Sequence, residues 1–275
     1  MVLKNKTVHF GLKKALLISA FFIALKTFLF PSTGWAADNC QLPGPWQSAA
    51  LAKVLDGDTL LLETGEKVRL IGINTPEHAT EKRRAEPFAK QATRAVKVFF
   101  NNQHTIKLQR GREPKDHYGR TLAYVARSDG MLLSEYLVSY GLAFYLAIPP
   151  NLQLLPCLMK AERQARRQQT GLWEHYQPIT VQNIKQAGFS LVAGKVEKVS
   201  QAANGVWIDL VGKLTLFIPR NNLKYFSRSS FDQIKGRQVE VRGWLIDRSA
   251  GGRKLKKGRK RWMMKVSHPA AIIFK

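Results

Sequence analysis

Between Val54 and Glu77 the chain reads VLDGDTLLLETGEKVRLIGINTPE. Asp56 and Asp58 flank a glycine, Arg69 follows, and Glu77 comes directly after a proline. A second arginine, Arg120, sits in DHYGRTLAY. Cleaving a phosphodiester takes a hard cation held by oxygen ligands, cationic donors for the charge growing on phosphorus, and a carboxylate to handle the attacking water. These positions supply all three residue types. By residue type alone the set has a plainer reading too: DGD makes a good turn, and Arg69 can pair with any surface acid.

The elements that must position these residues follow from periodicity. AKVLDGDTLLL and EKVRLIGI read as short strands of a hairpin with ETGEK, containing Gly65, as the turn. EPFAKQATRAVKVFF predicts a helix with Pro87 at its first position and Phe88, Ala92, Ala95, Val96 and Phe99 on its apolar face. HTIKLQR and RTLAYVAR give two more strands around the polar loop GREPKDHYG. LLSEYLVSYGLAFY predicts a second helix ending near Gly141. A third runs from Pro156 to Gln169 and is closed by Gly171, with Lys160, Arg163, Arg166 and Arg167 as a basic stripe.

After HYQPIT, five more strands are expected: FSLVAGKVEKVS, GVWIDLV, KLTLFIPR, RQVEVRGWLID and RWMMKVSHPAAIIF, with a short helix around NLKYFSRSSFDQI after the third. That is the order of an OB barrel. Between the last two strands lies RSAGGRKLKKGRKR, whose Arg253, Lys256, Lys257, Arg259, Lys260 and Arg261 would clamp phosphates. A solubilising loop would have the same sequence.

The chain has 275 residues, 45% of them hydrophobic, enough for two domains with their own cores. Its formal net charge of +25 makes a polyanion the default partner. The N-terminus has a basic start, an apolar run from Ala15 to Phe30 and small residues at Gly34 and Ala36, the pattern of an export signal cleaved after Ala36. Removing residues 1–36 takes away five lysines and no acids, so the charge falls from +25 to +20. Lys26 interrupts the apolar run, and an uncleaved membrane anchor is the alternative. The only cysteines, Cys40 and Cys157, would form one bridge in an oxidising compartment or remain two buried thiols. No Cys/His cluster indicates zinc.

DGDT, VRLIGINTPE, EPFAKQA, YGRTLAY and GLW, in this order, resemble the thermonuclease (staphylococcal-nuclease-like) family over about residues 49–176. The resemblance implies an OB-fold β-barrel with added helices that hydrolyses DNA and RNA with one calcium ion (Ca2+). It makes Asp58 a calcium ligand, Thr75 a ligand through its carbonyl, Arg69 and Arg120 the phosphate-gripping pair, and Glu77 the general base. Asn74 stands where the family most often has a second metal-binding aspartate, which lowers the charge of the site. GLAFYLAIPPN makes Tyr145 a base-stacking candidate, with Phe144 or Tyr145 as plain core the alternative. Tyr118 is expected to brace Arg120, and His117 to be its solvent-exposed neighbour beside the phosphate.

The resulting expectation is a mainly β chain with helices. A signal peptide (1–36) and an N-terminal segment (37–48) precede a nuclease barrel (49–176) and a basic OB-like nucleic-acid-binding domain (177–275). Its function would be that of an exported, periplasmic or secreted, calcium-dependent nuclease of low sequence specificity, favouring single-stranded DNA or RNA. The alternative is a nucleic-acid-binding protein with an inactive nuclease barrel.

Overall fold

The computed structural model describes residues 40–81, 84–227, 231 and 233–275. In chain order the first elements are β1 (Gln47–Val54), β2 (Thr59–Leu62), β3 (Lys67–Leu70), β4 (Ile73–Asn74), α1 (Ala89–Phe100), β5 (Thr105–Lys115), β6 (Thr121–Ala126), α2 (Leu133–Ser139), β7 (Phe144–Tyr145) and α3 (Leu155–Arg167). Strands β1, β2, β3, β6 and β5 close into a barrel in that order, with β3 and β6 parallel. Alternation dictates the closure: Leu60, Val68, Ile106, Leu108, Ala123 and Val125 are buried, while residues of the opposite parity face outward. AKVLDGDTLLL, expected as one strand, is two. The chain reverses at DGD, where the N–H groups of Leu55 and Asp56 both bond the carbonyl of Thr59.

Two other expectations are corrected. Pro87 is not the first helical residue, because the chain turns at Phe88 in the left-handed region (φ 70°) and α1 starts at Ala89. Its buried stripe is Ala89, Ala92, Val96, Phe99 and Phe100. The polar stretch GREPK is strand rather than loop, because the side-chain amide of Asn151 acts as a missing neighbour: its Oδ1 accepts from the Glu113 N–H (3.1 Å) and its Nδ2 donates to the Glu113 carbonyl (3.0 Å). Gly111 allows this approach, since a Cβ there would lie 2.6 Å from the Asn151 amide.

Beyond α3 come β8 (Ile179–Thr180), β9 (Gly188–Ala202), β10 (Gly205–Leu210), β11 (Leu214–Pro219), β12 (Gln238–Asp247), β13 (Trp262–Lys265) and β14 (Ile272–Phe274). Strand β12 pairs with both β13 and β9, so β9, β10, β11, β13 and β12 form a second closed barrel, again with the third and fifth strands in chain order parallel. Both barrels therefore have OB topology. The expected last strand is split. Pro269 lacks an N–H for a ladder, and a 3-10 turn at Pro269–Ala271 is capped by His268, whose Nδ1 accepts from the Ala270 N–H. The helix expected after the third strand is a 3-10 turn, Arg220–Tyr225, while positions 228–230 and 232 lie outside the described residues. Leu223 and Phe226, three apart and so eclipsed in such a turn, both pack on the second core.

A buried ionic cluster joins the barrels. Glu162 of α3 receives both terminal nitrogens of Arg242 of β12 (2.8 and 2.7 Å), and Arg166 bridges Glu162 (3.0 Å) to Glu240 (2.7 Å). Glu162, Glu240 and Arg242 are all buried. Cys40 and Cys157 form a disulfide with Cα atoms 5.6 Å apart, tying the start of the described chain to α3. Among the described residues no helix is long and apolar enough to cross a membrane, and the proposed leader, residues 1–36, lies outside them.

Replacing Glu162 with Gln leaves Arg242 as a buried charge without its main counter-ion, which typically destabilises by about 3–5 kcal/mol. Chemical denaturation of Glu162→Gln is expected to show a loss of that size, against less than about 1 kcal/mol for an exposed pair such as Arg127–Asp129 cut by Asp129→Asn.

Candidate active site

The DGD turn can bring its carboxylates onto the barrel because Gly57 has no side chain. A Cβ there would sit 2.7 Å from Thr75 Oγ1 and 2.8 Å from Ala92 Cβ, so only glycine lets the turn lie against the loop after β4 and against α1. Asp58 is then clamped. Its Oδ2 accepts from the Thr75 N–H (3.0 Å) and pairs with Arg69 Nη2 (3.0 Å), while Oδ1 accepts from the Thr59 hydroxyl (3.1 Å). The Asp58 N–H in turn donates to Asp56 Oδ1 at 2.9 Å.

Arg69 faces outward from β3, yet the chain after β3 folds over it and leaves it 9% exposed. Its Nη1 donates to the carbonyls of Leu70 (2.8 Å) and Ile73 (3.0 Å), and its Nη2 reaches Asn74 Oδ1 (3.2 Å) as well as Asp58. The Asn74 Nδ2 donates to the Thr75 carbonyl at 3.2 Å. Asp58, Arg69, Asn74 and Thr75, expected to act together, are thus one hydrogen-bonded corner.

Glu77 completes the corner at its solvent edge. The chain closes a loop there: the Glu77 N–H bonds Glu86 Oε2 (3.0 Å) and the Glu86 N–H bonds the Glu77 carbonyl (2.9 Å). Partial burial, then the charges of Asp58, Asp56 and Glu86, push the Glu77 carboxyl above its ordinary value against the pull of Arg69. Asp56 is raised as well, by burial and then by Asp58. Sequence reading counts Asp56 among the acidic residues of DGD but does not name it a metal ligand. It gives no signal for Glu86, which the loop brings back from nine positions away.

Arg120 comes directly before β6. Arg69 pairs with Leu122 across β3 and β6, so Arg120, two residues earlier, falls on the same side of the alternation. Its Nε is held by Asp116 Oδ2 at 2.8 Å, and among the described residues its two terminal nitrogens have no protein partner. Tyr118 is exposed with Arg120 5.5 Å from its ring centroid, and the His117 ring lies beside it at 3.7 Å.

Tyr145 is not a surface for a base. It is 3% exposed, with its hydroxyl donating to the Ala270 carbonyl (2.8 Å) and the Arg242 guanidinium 3.6 Å from its ring centroid. The second barrel covers it. The loop cations divide: Arg253, Lys256, Lys257 and Arg259 are exposed, whereas Lys260 bonds Glu197 and Arg261 pairs with Asp247 at 2.7 Å.

The oxygen donors at the corner suit a hard divalent cation. Asp56 and Asp58 offer carboxylates, Thr75 a carbonyl and Asn74 an amide oxygen, and burial followed by mutual repulsion raises Asp56 and Glu77, a cost that such a cation lowers. Calcium fits this set. The cluster of Cys40, Glu135 and Cys157 is not a metal site, since its thiols are joined in the disulfide.

The pattern of staphylococcal nuclease homologues matches residues 67–175. The thermonuclease of Staphylococcus intermedius is 37% identical over 131 residues, which span 46% of this chain and 77% of that protein. The chain belongs to the staphylococcal nuclease homologue family. A second member of this nuclease family, the thermonuclease of Staphylococcus hyicus, is 32% identical over 145 residues, covering 48% of this chain and 85% of its own length. An uncharacterized endonuclease of Escherichia coli O157:H7 is 28% identical over 132 residues, 47% of this chain and 78% of that protein. The family match lies on the first barrel and its helices. The second barrel, which begins at Gly188, lies beyond it.

The raised Glu77 carboxyl has a signed consequence. A carboxyl whose pKa is higher in the folded state contributes stability that is fully present below its unfolded value, near 4.5, and is lost as pH rises through the folded value. Glu77→Gln removes that loss. In chelator, thermal melts are expected to show the variant more stable than the parent at neutral pH, by a few tenths of a kcal/mol after solvent screening, with the difference vanishing below about pH 4.

Proposed function

We propose that this chain is an exported, calcium-dependent nuclease that hydrolyses phosphodiester bonds of DNA or RNA with low sequence specificity. The observation that carries this reading is the corner itself: Asp58, Arg69, Thr75 and Glu77 converge on one rim of the first barrel, with Arg120 directly before the adjoining strand β6. Export rests on the N-terminal pattern and fits the disulfide, which persists in oxidising compartments.

Each residue has a task in hydrolysis. The terminal nitrogens of Arg120 bind the nonbridging phosphate oxygens, which a planar guanidinium can grip in bidentate fashion. Arg69 holds the Asp58 carboxylate and the turn after β3 in place, and adds positive charge beneath the phosphate. Glu77 accepts a proton from the attacking water as its oxygen bonds phosphorus and the ester oxygen opposite departs. Asp58, Asp56 and the Thr75 carbonyl would hold calcium, whose chemistry is to neutralise the phosphate and orient the water.

A second reading, nucleic-acid binding without cleavage, draws on two observations. Both terminal nitrogens of Arg69 are taken up inside the protein, and Asn74 supplies no charge. Incubation with single-stranded and plasmid DNA across a calcium titration separates the two. Degradation that needs calcium and disappears in Asp58→Ala supports the nuclease, and tight binding without cleavage at any calcium level supports the other reading.

Arg120→Ala is expected to lower the turnover rate roughly 100-fold or more, the scale for losing one donor to a developing oxyanion. Asn74→Asp restores a negative charge and is expected to lower the calcium concentration at half-maximal activity. An unchanged titration would show that Asn74 does not limit metal affinity.

A further inference from the structure

The outer face of the second barrel carries aromatic rings in register. Trp207 of β10 pairs with Phe217 of β11, and Phe217 pairs with Lys265 of β13. The two rings stack with centroids 4.2 Å apart at 27°, and both are half-buried rather than covered. One residue beyond the Leu245–Met264 pair, Trp244 of β12 falls opposite Lys265, and it is 42% exposed. The row thus crosses four adjacent strands of one barrel.

Charge frames this row. Arg248, at the start of the basic loop, lies 5.8 Å from the Trp207 ring centroid. Among the described residues Arg253, Lys254, Lys256, Lys257 and Arg259 form no ion pair, and all five are exposed. The far end leads toward the first barrel. Trp244 and Lys265 line an apolar groove of about 270 Å³ with Leu146, Ala147 and Ile148, the residues that follow β7 directly. Strand β7 pairs with β4, placing Phe144 opposite Asn74 of the candidate active site.

We propose that the row from Trp207 through Phe217 and Lys265 to Trp244 is a stacking platform for single-stranded nucleic acid, which it leads from the basic loop toward the active-site corner. This deepens the nuclease reading and rests on it for the identity of the polymer. Aromatic rings beside exposed cations suit a strand whose bases are unpaired, because a base offers its flat face to a ring only outside a duplex. The rings lie on the second and third strands of an OB barrel and the cations on the loop between its fourth and fifth, the parts of that fold that take up oligonucleotides.

Binding is read in chelator by fluorescence anisotropy of a labelled 20-nucleotide thymidine strand and of an abasic strand of equal length and charge. The intact protein is expected to bind the thymidine strand more tightly. Trp207→Ala or Phe217→Ala should weaken that binding roughly 5- to 100-fold, the scale of one lost stack, and leave abasic binding unchanged. Trp207→Phe, which keeps a ring, should restore most of the affinity.

Equal affinity for the two strands in the parent overturns the proposal. So does thymidine binding in both alanine variants within twofold of the parent, or an equal loss for both strands, which would mark a general change of structure or charge. Cleavage of bis(p-nitrophenyl) phosphate with calcium, too small a substrate to reach the second barrel, tests the nuclease reading separately. Stacking needs no turnover and stands or falls without it.

Discussion

One guanidinium holds the chemistry in place. Arg69 is bound to the Leu70 and Ile73 carbonyls, the Asn74 amide and the Asp58 carboxylate, so a single side chain sets the shape of the chain after β3 and the position of the metal-binding candidate together. A lysine could not do this, having a compact charge in place of a planar fork. The arrangement also divides the work between the two arginines. Arg69 is built in, while Arg120 is held only at its Nε by Asp116 among the described residues.

The second barrel is fixed to the first by charge rather than by a flexible linker. Arg242 reaches into the first barrel to bond Glu162 and the Tyr145 carbonyl, and its guanidinium lies on the Tyr145 ring. Buried ions of this kind favour one docking geometry, because a slipped interface would leave them unpaired in a poor solvent for charge. A strand held by both barrels would therefore meet the candidate corner from a defined direction.

Much of this was legible in the sequence, for physical reasons that differ by residue. Period-two alternation marked the barrel strands, because only one parity can face a core. DGDT and VRLIGINTPE placed Asp58 just before a strand and Arg69 on the next one, as found, whereas Glu77 lies in the loop three residues beyond β4. Tyr145 could be read either as a stacking surface or as core, and what decides for core is its cover by Arg242, 97 positions later. Nor could the extension of β5, which depends on the side chain of Asn151, 38 positions away. The split of the last strand did carry a signal in Pro269. Trp207 and Phe217 were visible as strand residues, but their stacking depends on a register that composition does not set.

The ionic cluster between the barrels also has a consequence in time. The strands of the first barrel are complete at Ala126 and α3 at Arg167, well before Arg242 is made. Glu162 and Arg242 are 80 positions apart, so at a synthesis rate of roughly 5–20 residues per second the interval between them is about 4–16 s. Throughout it the carboxylate of Glu162 and the face of Tyr145 lack their cover. The second barrel is thus the last-made part of the first barrel's own surface, and a chain cut short before β12 would display that unfinished face to its neighbours.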